Sequence, residues 1–420
     1  MPGDWLVRRA ARGDSVVRLR LGRQRLVYLL GPAANAAVFG HDERFRAREA
    51  FAALEIVDGP TSVVLSDGAD HARRRGLIRP AVAPRRIDGY LETMAQAADE
   101  ALAEVLPGEP FDAYVLLRRA IRRSTLRVLF GGELARRADE VGEMLQPLLD
   151  LTDKLPQVLD AHRRLRTPSW RRAMTARAAV DELVNEQVRR ERDRGPDEGV
   201  GEGPMLPLLV HGRDGAGSGL DDQEVRDQAV TMIAAGYETT SAAIGWIVYL
   251  LGTFPDWQVR AREEVTTVLA GGAPGPGDLD RLPVLRAIVT EALRLYPPAM
   301  ISVRYAVEGF EHDGEQIRPG DLVVFSPYAT HRDARVYSGP LRFDPGRWLQ
   351  QPRRAPEEYL PFGGGKHRCL GSGLAMAELT VMLSRLLAHG EYRLVRGPRA
   401  ARGFAAMRPH PGVGITIPPQ

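Results

Sequence analysis

The sequence predicts a mainly helical protein with minor β-sheets. Across most of its 420 residues, apolar side chains recur three and four positions apart, which is the spacing of amphipathic helices. Two stretches instead alternate apolar and polar residues as short strands do, residues 15–31 and residues 315–329. A composition of 44% hydrophobic and 26% charged residues is typical of a globular protein with a large core. We expect residues 1–420 to form one domain, with the glycine-rich stretches as surface loops.

The two alternating stretches each predict a pair of strands. In "SVVRLRLGRQRLVYLLG" the alternation is interrupted at Gly22 and Arg23, which predicts two antiparallel strands joined by a turn. In "EQIRPGDLVVFSPYA" the turn is expected at Pro319 and Gly320.

One helix is predicted to be unusually long. It begins at Asp221 or Asp222, either of which can cap a helix start, and it ends at Pro255. About thirty residues at 1.5 Å each would extend roughly 45 Å. A shorter helix is predicted over residues 176–195, where apolar residues recur at helical spacing.

Polar residues interrupt the apolar face of the long helix at "AAGYETTS". Gly236 and Thr240 are mediocre helix formers, and a buried Glu238 is costly without a partner. Two interpretations remain open at this point. The segment is either a solvated patch or packing notch, or a distorted turn that presents the Thr239 hydroxyl and the Glu238 carboxylate to something bound beside the helix.

A further helix, "LPVLRAIVTEALRLYPP", is ended by Pro297 and Pro298. Glu291 and Arg294 are three residues apart in it, so they share a face and can form an ion pair. By itself this pattern is weak evidence, because most such pairs lie on the surface.

Charge and hydropathy exclude some classes of protein. A net charge of +3 gives no support to a nucleic-acid partner. The first fifteen residues lack the apolar stretch of a signal peptide, and the longest apolar run, residues 242–254, is shorter than the roughly 20 residues that span a bilayer. We therefore expect a cytoplasmic protein without a membrane anchor.

The only cysteine, Cys369, lies in the glycine-rich stretch "PFGGGKHRCLGSG". One cysteine cannot form an internal disulfide or a multi-cysteine zinc site. Because Cys369 precedes an amphipathic helix and follows Lys366, His367 and Arg368, we expect an acidic thiol, suited to a metal ligand or a nucleophile.

The alternatives for this loop fit less well. A phosphate-binding loop would have Lys followed by Ser or Thr after its last glycine, which is missing here. A nucleophile would need a positioned base, and His367 is expected to point elsewhere in an extended loop. Ligation of a metal by a single thiolate is the better fit.

At this point the sequence resembles the cytochrome P450 family. "FGGGKHRCLG" is similar to the family's haem-binding loop, and "AGYETT" to its oxygen-activation segment. "EALR" and "FDPGRW" resemble the Glu-x-x-Arg pair and the segment whose arginine, here Arg347, joins that pair. "HARRR" is similar to the helix that supplies haem-propionate ligands. One departure is His367, which stands where the family's commonest pattern has arginine.

The resemblance implies a P450 fold with haem b between the long central helix and the helix that follows the cysteine loop. It implies Cys369 as the axial iron ligand and Thr239 and Glu238 as the residues that handle oxygen and protons. The residues that the resemblance implies around the haem, including its propionates, are His71, Arg75, Arg304, His367, Phe362, Gly365, Gly371 and Ala235. Glu291, Arg294 and Arg347 would form a buried structural network.

The implied activity is that of a monooxygenase that uses O2 to hydroxylate or epoxidise a small hydrophobic substrate, in bacterial secondary metabolism by analogy. Only about fifty residues follow the haem loop, so we expect electrons from a separate ferredoxin and an NAD(P)H-dependent ferredoxin reductase. A haem-thiolate sensor or carrier and a peroxide-driven enzyme are the alternatives. Both would have less need of the Glu238–Thr239 pair.

Two further expectations concern surfaces. Residues 56–64 and Met300, Ile301, Val303, Phe404 and Met407 are expected at the substrate. Because His71 and Arg75 share a helix face, Arg73 and Arg74 should point away from the haem into solvent. With Lys366 and Arg368 they would form a basic docking surface for an acidic ferredoxin.

Overall fold

A computed structural model of the protein describes residues 3–419 except 23, 155, 196–202, 352 and 404–405. It confirms the predicted fold class, because helices dominate and the sheets are small. That residues 1–420 form one domain stays a prediction.

The helices, numbered along the chain, have the following bounds: α1 Asp4–Ala11, α2 Pro32–Gly40, α3 Glu55–Asp58, α4 Gly68–Ile78, α5 Pro84–Asp88, α6 Leu91–Leu102, α7 Ala113–Phe130, α8 Gly132–Ala135, α9 Ala138–Thr152, α10 Pro156–Arg164, α11 Pro168–Arg194, α12 Leu206–His211, α13 Asp222–Thr253, α14 Pro255–Leu269, α15 Pro283–Leu295, α16 Pro327–Thr330, α17 Gly346–Gln350 and α18 Ser372–His389. The predicted helix over 176–195 is the second part of α11.

The strands have the following bounds: β1 Val16–Leu21, β2 Gln24–Leu29, β3 Phe45–Arg46, β4 Phe111–Asp112, β5 Ser302–Ala306, β6 Phe310–His312, β7 Glu315–Ile317, β8 Leu322–Phe325, β9 Arg393–Arg396, β10 Ala400–Arg402, β11 Arg408–His410 and β12 Gly414–Thr416. The main sheet has the order β1-β2-β8-β5-β3, and small sheets of order β4-β12-β9, β10-β11 and β6-β7 accompany it.

One of the two predicted strand pairs is correct and the other is wrong. β1 and β2 pair antiparallel, with Val16 opposite Leu29 and Leu21 opposite Gln24. β7 and β8 do flank Pro319 and Gly320, but β7 pairs with β6, whereas β8 lies between β2 and β5 in the main sheet. Alternation predicts strands locally, whereas pairing depends on which edges tertiary packing brings together.

The long helix α13 follows its prediction at both ends. The Asp221 side chain accepts a hydrogen bond from the Glu224 amide, and the Glu224 side chain accepts one from the Asp221 amide, which completes a capping box. The last helical residue is Thr253, two residues before Pro255. α13 packs against α7, α11, α15 and α18, so its middle lies inside the protein.

The predicted structural network around Glu291 is present and buried. Arg294 donates to Glu291 through Nε and Nη2, each at 2.8 Å, and Arg347 Nε donates at 3.1 Å. Glu291 and Arg294 have no exposed surface. This network joins α15 to α17.

One segment, Gly365–His389, is apolar and long enough to cross a membrane by length and composition. More than half of its most apolar window is buried inside the protein, because α18 packs against α6, α13, α14 and α15. Core helices of soluble proteins have the same property.

Candidate functional site

A cavity of about 390 Å³ lies between α13 and the loop that precedes α18. Its lining is mostly apolar, and α4 and β5 contribute the basic side chains at its wall. Of the site residues that the sequence predicts, the following line it: His71, Arg75, Ala235, Thr239, Arg304, Phe362, His367, Cys369 and Gly371. Glu238 and Gly365 are not among the lining residues.

The cysteine loop is held in a tight conformation that requires glycine. Gly363 and Gly365 have φ values of +67° and +68°, in the left-handed region. A Cβ on Gly364 would lie 2.3 Å from the Phe39 ring, so the loop packs directly on α2. The Cys369 amide donates to the Phe362 carbonyl at 2.9 Å, which fixes the cysteine at the cavity.

That Gly365 lies at the bound group stays a prediction, and Gly365 is not among the residues that line the cavity. Its backbone lies against Phe39, where a Cβ would approach the Phe39 carbonyl oxygen to 3.2 Å. Gly363 lines the cavity in its place.

The expectation of an acidic Cys369 thiol also needs correction. Burial raises the pKa of this thiol above its ordinary value, although a backbone hydrogen bond at Gly371 and the charges of Arg75 and Arg368 oppose the rise. The exposed surface of Cys369 faces the cavity. A bound metal cation, rather than the helix end, would be needed to hold the thiolate form.

One part of the cavity is lined by four basic side chains, His71, Arg75, Arg304 and His367. His367 lies 3.9 Å from Asp42 and from Asp67, whereas, in the described part of the chain, the two arginines have no close carboxylate. Arg304 is 5% exposed, and among the described residues no carboxylate oxygen lies within 4.0 Å of it or of Arg75. The Nη1 of Arg304 donates to the Val303 carbonyl at 2.9 Å, and burial lowers the pKa of Arg304. A buried guanidinium without a counter-charge is costly, so this wall favours an anionic ligand.

The two histidines of this wall lie in contact. The His71 and His367 rings have centroids 4.1 Å apart. Burial lowers the pKa of His71, and burial followed by the charge of Arg304 lowers that of His367 to about 3. Both imidazoles are therefore neutral near pH 7, and each can donate one N–H hydrogen bond to an anion.

The donor set fits haem b. The cavity has a single thiol, a soft ligand suited to iron, together with two arginines and two histidines for a pair of propionates. Apolar side chains, among them Phe362, Leu370 and Leu374, line the cavity near the thiol and suit a flat porphyrin face.

On the α13 side of the cavity, Thr239 is the predicted oxygen-side residue. Its hydroxyl donates to the Ala235 carbonyl one turn earlier, at 2.8 Å. The helix is continuous through this turn, so the distorted turn that the sequence left open is not seen. With its proton directed to Ala235, the hydroxyl can accept a hydrogen bond from a water or ligand in the cavity.

Glu238 faces away from the cavity and is bound by two arginines. Arg118 on α7 donates to one carboxylate oxygen, and Arg408 Nη1 lies 3.6 Å from the other. Arg408 also pairs with Asp153, at the end of α9. Glu238 is therefore next to Thr239 in the helix, but its carboxylate is bound to arginines on the side away from the cavity.

Comparison with known proteins decides the family. The family model described as Cytochrome P450 matches residues 1–399. The chain belongs to the cytochrome P450 family.

Curated P450 relatives cover nearly the whole chain. Cytochrome P450 139 of Mycobacterium tuberculosis is 41% identical over 411 residues, which are 96% of this chain and 94% of the relative. Cyclooctat-9-en-7-ol 5-monooxygenase of Streptomyces melanosporofaciens is 31% identical over 94% of this chain and 86% of its own length. Pentalenene oxygenase of Streptomyces avermitilis is 30% identical over 93% of this chain and 86% of its own length.

Solved P450 structures share the fold. The retinoic acid-bound cyanobacterial CYP120A1 superposes with a TM-score of 0.89 at 23% identity, covering 99% of this chain and 94% of that one. The haem domain of cytochrome P450DA superposes with a TM-score of 0.85 at 24% identity, covering 99% of this chain and 93% of that one.

Within this P450 fold, several residues expected at the substrate are elsewhere. Met300 lies beside Gly3 and Ile301 packs against the cluster that includes Leu6 and Ala10 of α1, so both face α1. Met407 is buried and its carbonyl accepts from Trp246 Nε1 at 2.7 Å. None of these, nor Val303, lines the cavity, and Phe404 lies outside the described residues. The cavity is lined in this region by Pro298, Ala299 and Ser302.

Residues 56–64 are partly at the cavity, as expected. Val63 and Val64 line it, and α13 holds their segment in place. The Val63 amide donates to Gln228 Oε1 at 2.8 Å, and the Thr61 amide donates to Asp227 at 2.9 Å.

The expectation that Arg73 and Arg74 meet solvent is wrong for Arg74 and holds only in part for Arg73, whose side chain is 31% exposed. Both pair with Glu224 at the start of α13, and Arg74 Nη1 also donates to Ser66 Oγ at 2.7 Å. Arg74 is buried. Because Arg73 and Arg74 point away from the cavity, they reach the contact between α4 and α13 and pair there with Glu224.

Sequence reasoning missed Arg118, Arg408 and Glu378. Nothing local distinguishes the two arginines among 57 basic residues. Glu378 is a lone acid in the apolar run of α18, a signal that was available. It lines the cavity, and burial raises its pKa to about 8.

Proposed function

We propose that this protein is a haem-thiolate monooxygenase that hydroxylates or epoxidises a small hydrophobic molecule with O2. The observation that carries the proposal is that the Cys369 thiol and the Thr239 hydroxyl line one cavity together with Arg75 and Arg304, which have no carboxylate within 4.0 Å among the described residues. Relatives named as monooxygenases support the same class of reaction.

Haem b bound through a thiolate supplies the activation of O2 and the oxidation of C–H bonds. Cys369 would ligate the iron. His71, Arg75, Arg304 and His367 would hold the propionates by hydrogen bonds and charge. Phe362, Gly371 and Ala235 would lie against the macrocycle, and Gly365 would contribute indirectly by packing the loop on Phe39.

Thr239 would orient a proton-carrying group at the oxygen side. Its own proton is given to the Ala235 carbonyl, so its lone pairs are available to a water in the cavity. A hydroxyl fixed by its own helix needs no reorganisation to hold that water, which is the advantage of preorganised polar groups.

Glu238 would deliver protons only after release from Arg118. The side chain must turn from α7 toward Thr239, and Arg408 can retain the pair with Asp153 as it does so. Both arginines keep about a fifth of their side-chain surface exposed, so water can replace the lost contacts.

We infer a terpene-like or similarly apolar substrate. The α13 face of the cavity presents Ala243, Met232 and Ala235, and the opposite segments present Val63 and Val64. Relatives named for cyclooctatin and pentalenene oxidation support this class, in bacterial secondary metabolism.

Electrons would come from a ferredoxin served by an NAD(P)H-dependent reductase, in the cytoplasm. With Arg73 and Arg74 engaged by Glu224, the docking surface is assigned instead to exposed residues around the cysteine loop, Lys366, Arg368 and Arg79. Arg79 and Arg368 both lower the pKa of Arg75 through their charges, so both lie on the Arg75 side of the protein.

The experiment that tests the haem-thiolate assignment is Cys369→Ser, with Ser372→Ala at the first residue of α18 as its control. The thiolate-type absorption of the reduced carbon monoxide complex should vanish in the first variant and persist in the second, because a serine oxygen is a poorer donor to iron. An unchanged spectrum in Cys369→Ser would reject the proposal.

Turnover then separates the alternatives. A monooxygenase should oxidise a substrate that shifts the Soret band when O2, ferredoxin, reductase and NAD(P)H are supplied. Product formed only with added peroxide would indicate the peroxide-driven alternative, and no product under either condition would favour a sensor or carrier.

A further inference from the structure

Two short segments contain more than the chain's whole excess of positive charge. Residues 5–25 have seven arginines and one aspartate, and residues 157–172 have five arginines and one aspartate. Twelve arginines against two aspartates give these segments a net charge of +10, whereas the whole chain carries +3. The rest of the molecule is therefore acidic on balance.

The fold brings the two segments together. α1 packs on the β1–β2 hairpin, where the Trp5 and Tyr28 rings meet edge to face with centroids 5.9 Å apart. At the turn of the hairpin, Gln157 Nε2 at the start of α10 donates to Gln24 Oε1 at 3.2 Å. We call this surface, formed by α1, β1–β2, α10 and the first turn of α11, the basic face.

Most of these arginines are available to a partner. Those exposed on the basic face are Arg8, Arg12, Arg18, Arg20, Arg25, Arg163, Arg164, Arg166, Arg171 and Arg172. Within the described part of the chain, Arg8, Arg12, Arg166, Arg171 and Arg172 have no carboxylate within 4.0 Å. The ion pairs of Arg18 with Glu315 and of Arg25 with Asp321 involve exposed arginines and are readily exchanged.

Apolar side chains lie among the arginines. Leu19 and Leu21 on β1 are 39% and 42% exposed, Val158 on α10 is 42% exposed, and Leu165, directly after α10, is 76% exposed. These are four of the twelve large apolar side chains that are exposed in the described residues, on less than a tenth of the sequence. Leu19 and Leu21 leave β1 on the side of Tyr28 and α1, whereas Arg18 and Arg20 leave it on the opposite side. The exposed apolar side chains therefore share a surface with the arginines of α1 rather than with those of β1.

We propose that the basic face binds the surface of an anionic lipid bilayer. The arginines of α1 and of residues 163–172 would contact headgroup phosphates, and Leu165, Leu19 and Leu21 would enter the boundary with the acyl chains, as in short interfacial helices. An acidic protein is the less suitable occupant, because protein interfaces are centred on aromatic anchors. Here Trp5 is already packed on Tyr28 and Trp170 against the core.

Binding of this kind is reversible and falls with salt. It needs no membrane-spanning segment, and it does not depend on which reaction the cavity performs. It would hold the enzyme at the phase in which apolar substrates dissolve.

The test is co-sedimentation of the full-length holoprotein with vesicles of phosphatidylcholine alone or with 30% phosphatidylglycerol. We expect binding only to the anionic vesicles, and its loss in high salt. Arg166→Glu/Arg171→Glu should weaken binding by about tenfold or more. Arg342→Glu/Arg393→Glu is a matched control, because both residues are exposed outside the basic face, and it should stay within about twofold of the wild type.

A second matched pair tests apolar insertion. Leu165→Ser should weaken binding to anionic vesicles by several-fold, whereas Leu341→Ser, at a site that is 71% exposed elsewhere, should not. An unchanged carbon monoxide spectrum shows that each variant is folded. Equal binding to both vesicle types, equal losses in target and control variants, or binding of an acidic protein without binding of vesicles would overturn the proposal.

Discussion

Two buried glutamates, Glu291 and Glu238, each meet two arginines, yet their surroundings differ. Glu291 accepts five hydrogen bonds, from Arg294 twice, from Arg347, from the Trp348 indole at 2.8 Å and from the Asp344 amide at 3.0 Å. Arg294 in turn donates to three backbone carbonyls. Glu291 and Arg294 have no solvent-exposed surface.

The cluster around Glu238 is open by comparison. Arg118 Nε is buried without a partner among the described residues, and the Arg408 contact is 3.6 Å long. A cluster in which every polar atom has a hydrogen-bond partner is rigid, whereas a cluster with unsatisfied polar atoms near water can exchange partners. We therefore assign a structural role to the first cluster and a dynamic one to the second.

The largest effect should come from Glu291→Gln. Two buried guanidinium groups would lose their counter-charge, and breaking a buried pair costs about 3–5 kcal/mol of unfolding free energy. Denaturant unfolding measures this, with Glu238→Gln as the comparison at about 1 kcal/mol, since its arginines reach solvent. Equal losses in the two variants would remove the distinction between the clusters.

Thr239→Ala should alter turnover without altering haem content. Loss of a positioned polar group commonly lowers the productive step by about a hundredfold, or less where water replaces the hydroxyl, and diverts electrons to peroxide. The measurement is product formed per NAD(P)H consumed, with Thr240→Ser at the neighbouring cavity position as control. A wild-type ratio in Thr239→Ala would exclude this residue from the oxygen side.

Glu238→Gln should slow turnover by about tenfold and enlarge the solvent isotope effect, because proton delivery becomes limiting. Arg118→Gln should act in the opposite direction on proton delivery, since it releases the carboxylate. If Glu238→Gln has wild-type turnover and isotope effect, the open cluster has no part in the reaction.

Glu378 is also a buried glutamate, but it has no arginine partner among the described residues. Burial raises its pKa from 4.5 to about 8, so the folded state retains a proton that the unfolded state loses. Its contribution to stability is complete below pH 4.5 and is lost as pH rises to about 8.

Melting temperatures of wild type and Glu378→Gln across this range test the point. As pH rises, the melting temperature of the wild type should fall relative to that of Glu378→Gln, because glutamine imitates the protonated acid at every pH. Glu182→Gln, at an exposed position on α11, should run parallel to the wild type. A constant difference for Glu378→Gln would show that the carboxyl is not protonated in the fold.

Sequence alone was sufficient for features governed by local spacing. The ends of α13 follow from Asp221 and Pro255, and the pairing of Glu291 with Arg294 follows from three residues of separation on one helix. The position of Cys369 at the cavity follows from the glycines before it, because only glycine takes the left-handed conformation at positions 363 and 365.

Tertiary structure decided whatever depends on contacts between distant segments. Helical spacing correctly turned Arg73 and Arg74 away from the cavity, but only the approach of α13 placed Glu224 against them. Likewise β7 and β8 are adjacent in sequence and belong to different sheets. Glu238 meets Arg118 and Arg408 across 120 and 170 residues of chain. Periodicity fixes the direction in which a side chain leaves its own helix or strand, and packing alone determines what it meets there.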